Sequence, residues 1–465
     1  MTAARPSSRS PTPTPDRTIF WALAITLAVA LGLGGGGSWF GLANMMVQLA
    51  AIAALALGYE SVLRFWRESP LSLRLLCLAA LALPLLQIIP LPASIWAALP
   101  GRELVTRALE TSGNDPGEWM TLSLDPRRTL LAFTALITPL ALLAGGWALS
   151  RERLITLGWL AVALGLALLV IGVVQATSPQ DTVSLFDDNE AKGVLRGTLA
   201  NRNSTALLLG FILALAALLP PPAAVARRVP MLPWLRAALC GLMLLAIILT
   251  QSRTGLVLAA IPVLLAIGRA AWEATATEHR PGRPISAARR AVLVGAAALS
   301  LLGIGGAALV ATAPGRISET LARFEARDDP RRFIWDDATY AIARYWPVGA
   351  GQGTFDEVFQ VDESLENLTE RRAGRAHNDY LELALEAGLA GLVLAGAWLV
   401  LLAWLSWRAR RSSLRWAGWA GSSFLLAIAL QSITDYPLRN QTMLAFAGLA
   451  LLLLARASLS EGDAR

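Results

Sequence analysis

The chain has 465 residues, of which 55% are apolar and only 16% charged, with a formal net charge of +7. A soluble domain carries about 25% charged residues, and many segments here exceed the roughly 18 apolar residues that a helix needs to cross hydrocarbon. These figures exclude an ordinary soluble protein and give the fold class: an all-α polytopic membrane protein.

Met1 to Arg17 is rich in Pro, Ser and Thr and carries Arg5, Arg9 and Arg17. It is expected to be a disordered cytoplasmic tail, with no small-residue cleavage site before the first apolar run. Twelve spans follow, at roughly 18–37, 42–60, 71–90, 128–149, 154–176, 203–220, 235–251, 254–272, 290–312, 379–406, 416–434 and 439–456. The least separated are the first pair, split at Gly34 to Gly41, and the seventh and eighth, split at Gln251-Ser252-Arg253.

Orientation follows from arginine in short connections. Arg64/Arg67, Arg151/Arg153, Arg227/Arg228/Arg236, Arg269/Arg280/Arg283/Arg289/Arg290 and Arg408/Arg410/Arg411/Arg415 fall on one side if the count is twelve. That side is expected to be cytoplasmic, with both termini. The segments 91–127, 177–202 and 313–378 are then outside. The organisation reads as a tail (1–17), nine helices (18–312), one larger periplasmic loop domain (313–378), three helices (379–456) and a cytoplasmic tail (457–465).

Cys77 and Cys240 both fall inside spans and have no metal-ligand spacing, so they read as small packing residues. Lys192 is the single lysine, and the arginines are spread over loops on both sides. That distribution argues against nucleic acid as a partner. Span centres hold essentially no Asp, Glu, Lys or His, which argues against an ion-coupled transporter.

Chemistry-bearing residues gather in the outer segments. Only two histidines are present. His279 lies in an Arg-rich connection, whereas His377 stands in Arg-Ala-His-Asn-Asp-Tyr, where a polar loop enters the tenth span. Histidine's ordinary pKa suits proton transfer near neutrality. Asn378 is the predicted N-cap there, with Asp379 in the first turn. The helix dipole and neighbouring arginines are expected to keep the imidazole neutral, the form that accepts a proton. A capping or interfacial role is the alternative.

Arg196 and Arg202 border the sixth span, and Arg253 lies between two apolar runs with almost no loop. An arginine so close to hydrocarbon is costly unless it faces a polar partner or reaches the headgroups. The chemical reading is diphosphate binding, since a guanidinium fork matches phosphate oxygens and can neutralise a leaving diphosphate without a metal. Asp187, Asp188 and Glu190 form either a divalent-cation site or a solvated acidic loop. Asp435 either pairs with Arg439 or lines the same cavity as the arginines. The run from Arg331 and Arg332 to Ile342 is amphipathic, with Phe333, Trp335, Tyr340 and Trp346 placed for an interface. Pro347 to Phe355 is glycine-rich but lacks the Gly-Lys-Ser/Thr of a phosphate loop. It is expected to be a tight turn with backbone donors facing the outer surface.

Four stretches together resemble the O-antigen ligase/polymerase family of bacterial membrane proteins. They are Arg-Gly-Thr-Leu-Ala-Asn-Arg-Asn (196–203), Ser-Arg-Thr-Gly (252–255), Pro-Val-Gly-Ala-Gly-Gln-Gly-Thr-Phe (347–355) and His-Asn-Asp-Tyr-Leu-Glu (377–382). The resemblance implies a twelve-helix, GT-C-like fold in the bacterial inner membrane. It implies transfer of a glycan from undecaprenyl diphosphate to an acceptor hydroxyl on the periplasmic face, with no cofactor. Its diphosphate-binding arginines correspond to Arg196 and Arg253, and its histidine to His377. Arg202, Asn378, Asp379, Asp435 and Arg332 are supporting candidates. The acceptor is a lipid A-core sugar in ligases, another lipid-linked repeat in polymerases and a Ser or Thr in protein glycosylation. Asn201-Arg202-Asn203 stands where many members have Asn-Pro-Asn, a variant also found in polymerase-like members. A small-solute transporter and a non-catalytic assembly scaffold are the readings from other classes.

Overall fold

In a computed structural model of the protein, the described residues are 15–37, 40–115, 117–177, 194–222, 231–278, 331–367 and 373–459, with 185, 225, 228 and 229 besides. The expected ninth span, the acidic residues Asp187, Asp188 and Glu190, His279, Lys192 and most of both tails lie outside them.

Among the described residues the chain is helical, with one two-residue strand pair, β1 (Pro90–Leu91) and β2 (Met120–Thr121). The helices are α1 (Pro15–Leu33), α2 (Gly41–Leu57), α3 (Tyr59–Glu68), α4 (Leu71–Gln87), α5 (Ala93–Ala97) and α6 (Arg102–Thr111). Then come α7 (Pro126–Ala135), α8 (Ile137–Leu140), α9 (Arg151–Thr177), α10 (Arg202–Leu218), α11 (Leu232–Leu249), α12 (Arg253–Leu258) and α13 (Ala260–Glu278). The last are α14 (Arg331–Tyr345), α15 (Phe355–Asp362), α16 (Asp379–Ala409), α17 (Arg415–Gln431) and α18 (Gln441–Ser458).

Seven of these segments are long and apolar enough to cross a membrane, or eight if α2 and α3, bent by 76° at Gly58, form one span. The protein is therefore an all-α polytopic membrane protein. α4 and α10 are apolar but shorter. The expected fourth span is not one helix. α7, α8 and a π-helical turn at Ala141–Gly145 share it. Pro139 lies in α8 and cannot supply the backbone donor that a continuous helix needs.

The main core centres on α10 and α18, which are buried on nearly all sides, with α1 and α17 packed against them. Small residues make the closest approach possible. A Cβ on Gly421 of α17 would stand 2.2 Å from the carbonyl oxygen of Ala450 in α18. Without a hydrophobic force between helices in lipid, such backbone proximity is the main route to packing. Phe211 and Phe424 stack at 4.3 Å between α10 and α17.

The bundle has two chemically distinct ends. At one, Arg153 meets Asp16, Arg151 donates to Ser413, Arg236 and Arg269 donate to carbonyls at the end of α10, and Arg456 donates to Trp147. All but Arg456 come from the connections that the positive-inside rule assigned to one face. At the other end a second, smaller core forms around Tyr345, Phe355, Phe359, Ala376 and Leu385. Arg102, fully buried, ties the 91–127 segment into it by donating to the carbonyls of Leu122 and Gly349.

α16 is broken where it leaves this second core. Gly388 has φ 56° and ψ −145°, and a Cβ there would lie 2.0 Å from the Pro347 carbonyl oxygen. Only glycine occupies that backbone region without strain. The Leu389 N–H, freed by the break, donates to that same carbonyl at 2.9 Å. Residues 379–387 thus form a short helical head, separate in direction from the long apolar remainder.

Candidate active site

The glycine-rich turn does not present its backbone donors to the outer surface, contrary to the expectation from sequence. They point inward. Ala350 N–H donates to the Leu385 carbonyl, Gly351 N–H to the Glu386 carbonyl, and Gln352 N–H to Gln87 Oε1 at 2.9 Å. Phe355 N–H reaches Glu386 Oε1 at 3.3 Å. The turn is a clamp across the break in α16, and no donors remain there to form an anion cradle.

Asn378 is the N-cap of α16, its side chain accepting from Tyr380 N–H at 3.0 Å and Leu381 N–H at 3.1 Å. His377 precedes it with φ 51°. A non-glycine residue in the left-handed region persists only where its surroundings over-determine it. Here they do. Ala376 N–H donates to Glu382 Oε1 at 3.0 Å, the Ala376 carbonyl accepts from Trp335 Nε1 at 2.8 Å, and Asp379 N–H donates to the Ser432 carbonyl at 2.8 Å. Trp335 is therefore a pin for this loop, not an interfacial residue as expected, whereas Phe333, Tyr340 and Trp346 are exposed.

The His377 side chain is 35% exposed, yet its Nδ1 is buried. Asp435 Oδ1 lies 3.6 Å from Nδ1, close enough for a charge pair but too long for a formed hydrogen bond. Such pairs commonly tighten only when substrate is bound. Tyr436 packs edge-on against the imidazole at 5.0 Å. A carboxylate therefore faces His377.

Asp435 resolves its two sequence alternatives. It does not pair with Arg439. It is fully buried and accepts from Asn203 Nδ2 at 2.8 Å and from Asn201 Nδ2 at 3.0 Å. Burial pushes its pKa up, but contact with His377 and the two amides outweighs this and leaves the carboxyl below its ordinary value. Asn201 also caps α10 by accepting from Asn203 N–H at 2.8 Å. Asn203 Oδ1 accepts from Ser252 Oγ at 2.7 Å, and Ser252 caps α12, whose first residue is Arg253.

A continuous path of polar side chains therefore joins Ser252, Asn203, Asp435 and His377. It brings together three stretches far apart in sequence. Arg196 is anchored beside it. Leu195 N–H donates to the Leu249 carbonyl at 3.2 Å, and Thr205 Oγ1 donates to the Arg196 carbonyl at 2.7 Å. Gln251, next to Ser252, is the other non-glycine residue with positive φ among the described residues, at 53°. Both strained positions thus flank this one site. Arg202 is the first residue of α10, between the two asparagines that hold Asp435. Arg332 is exposed on α14, and its neighbour Arg331 turns inward, donating to the Thr434 carbonyl at 2.7 Å.

Sequence reasoning missed a buried charge network under the loop. Asp379, Glu382 and Glu386 share one face of the α16 head. Arg439 donates to all three, at 3.2, 3.1 and 3.1 Å. Arg375 adds a second cation to Glu382 at 3.1 Å. The spacing i, i+3, i+7 was a visible signal that the carboxylates share a face. Gln87 gave no such signal. Its amide links the turn to Glu386 from the far end of α4.

A narrow, mostly apolar groove lies between α10, α12, α13 and α17. Ala206, Gly210, Phe211, Gly255, Phe424 and Ala427 are among its walls. Gly255 lies within the first turn of the helix that Arg253 opens.

Residues 238–396 match the family described as O-antigen ligase. The stretch holds Arg253, the glycine-rich turn and His377. Over that stretch the chain is similar to the family, which supports a function of O-antigen ligase/polymerase type in a multi-pass membrane protein. No curated protein matches the chain.

Proposed function

We propose that this protein transfers a glycan from undecaprenyl diphosphate to an acceptor hydroxyl, a lipid A-core sugar in the reading favoured here, on the periplasmic face of the inner membrane. The observation that carries the proposal is the polar path from Ser252 to His377. It links the His377 loop to the entrances of α10 and α12, where Arg202 and Arg253 stand, and this supports a shared site.

Each part has a physical role. The groove between α10, α12, α13 and α17 suits the first isoprene units of the carrier, since its lining is apolar except for Ser423. Arg196 and Arg253, with Arg202 nearby, take the diphosphate oxygens in forked hydrogen bonds. They hold the charge that accumulates as the leaving group departs.

His377 Nε2 accepts the proton of the acceptor hydroxyl. The acceptor oxygen forms a bond to the anomeric carbon from the face opposite the diphosphate. The bond between that carbon and the diphosphate oxygen breaks, and its electron pair leaves with the phosphate. The anomeric centre inverts. Asp435 holds Nδ1 and stabilises the imidazolium that results. Diphosphate leaves without a general acid, and the guanidinium groups provide its counter-charge.

The test is a deletion strain complemented with the wild-type gene or with His377→Ala. Loss of long-chain lipopolysaccharide, with polymer retained on the lipid carrier, is the expected phenotype of both the deletion and the variant. Accumulation of single unpolymerised repeats would replace the ligase reading with the polymerase one. A normal lipopolysaccharide profile in the variant would refute His377 as the base.

A further inference from the structure

His377 and Asp435 sit on different elements. His377 leads into the head of α16, and Asp435 lies in the connection between α17 and α18. The 3.6 Å approach of the two side chains is weaker than a hydrogen bond and cannot by itself fix one element on the other.

Two sets of contacts do hold them. Ser432, at the start of the connection, gives its carbonyl to Asp379 N–H and its hydroxyl to Asp379 Oδ2 at 2.9 Å. Arg439, at the end of the connection, closes on the α16 head through Asp379, Glu382 and Glu386. Glu382 and Glu386 are essentially unexposed, at 0% and 1%. Glu382 also holds Ala376 N–H with its other oxygen, immediately before His377. The planar guanidinium therefore spans three carboxylates, one of which directly fixes the backbone of the histidine loop.

We infer that Arg439 is a positioning residue for the proposed transfer reaction: by clamping the α17–α18 connection to the head of α16, it sets the distance between Asp435 and His377. The inference rests on the reading of His377 as the base. Arg439 does not touch the acceptor or the diphosphate. Three carboxylates in one buried spot would repel one another without it, and the cationic partner has to be a fork. An ammonium reaches one or two oxygens as a point charge and leaves the third carboxylate without its partner. Donor binding, which depends on the Arg196 and Arg253 corner, is independent of this clamp.

The test is a double-mutant cycle on the full-length protein with Arg439→Lys and Asp435→Asn. Transfer is read as the initial rate when purified protein is added to membranes of the deletion strain, which supply native donor and acceptor. Binding is read with undecaprenyl diphosphate. Arg439→Lys is expected to lower the rate about 10- to 100-fold, with the Kd for undecaprenyl diphosphate changed by less than about twofold. In the Asp435→Asn background the same substitution is expected to cost less than about threefold, because the distance it controls no longer matters.

Equal losses in the two backgrounds, or a rate loss matched by lost binding, would overturn the inference and leave Arg439 with a general role in folding. If Arg439→Lys does not yield folded protein, Asp379→Asn removes one charged arm of the same clamp and runs the same cycle. His377→Ala separates the two levels. Normal transfer by that variant overturns both the base reading and this one, whereas an inactive His377→Ala with an additive cycle overturns the clamp alone.

Discussion

Replacing Asp435 by Asn removes one negative charge 3.6 Å from Nδ1 of His377. At that separation a full charge pair is worth ~4.6 kcal/mol with an effective dielectric of ~20 and ~1.2 kcal/mol in bulk water. The imidazole is about one-third exposed, so screening brings the figure toward the lower half of that range, ~1–3 kcal/mol. The imidazolium exists only after proton transfer, so the loss falls on the transition state. At ~1.4 kcal/mol per tenfold, kcat should drop about 10- to 100-fold. The Kd for undecaprenyl diphosphate should stay within about twofold, because the substitution removes no group from the Arg196 and Arg253 corner.

The assay is the initial transfer rate in deletion-strain membranes at pH 8. Asp435 has a folded pKa below its ordinary value, so it is fully ionised there and the rate ratio between wild type and Asp435→Asn reports the loss of its charge. Wild-type turnover by the variant would refute the pairing of the two side chains.

Arg253→Lys should lower the transfer rate by about 10-fold or more and weaken binding of undecaprenyl diphosphate, since an ammonium does not reproduce a forked contact; unchanged binding would remove Arg253 from the diphosphate site. Gly388→Ala should destabilise the protein by about 3 kcal/mol or more, because it combines a glycine-only backbone conformation with a contact of 2.0 Å to the Pro347 carbonyl oxygen. An unaltered melting temperature in detergent would show that the break in α16 is not needed. Gly210 lines the mostly apolar groove, and an added Cβ meets nothing within 4 Å. Gly210→Leu should leave folding intact and raise the KM for the full-length carrier about 10-fold, while sparing a donor with a shortened lipid; equal KM values for both donors would place the isoprenoid elsewhere.

The sequence made the local chemistry of the site visible and hid its long-range partners. Apolar runs disclosed the helices, because that signal arises from transfer into lipid and needs no tertiary contact. The Asn378 cap was legible for the same reason. Asp435 was not, since either Arg439, four residues away in sequence, or a distant cavity could satisfy a buried carboxylate. The structure chose the distant partners, Asn201, Asn203 and His377, and gave Arg439 to three other acids. Gly388 was invisible inside an apolar run because its need for glycine comes from the Pro347 carbonyl. The glycine-rich turn misled in the same way. Its donors looked available until α16 and Gln87 were placed against them.

The central claim is that His377 takes the acceptor proton while the arginine corner separately holds the diphosphate. Purified His377→Ala tests it most directly, with undecaprenyl diphosphate binding and glycan transfer measured on the same preparation. The account predicts binding within about twofold of wild type and a transfer rate lowered at least about 100-fold. Transfer at the wild-type rate would contradict it.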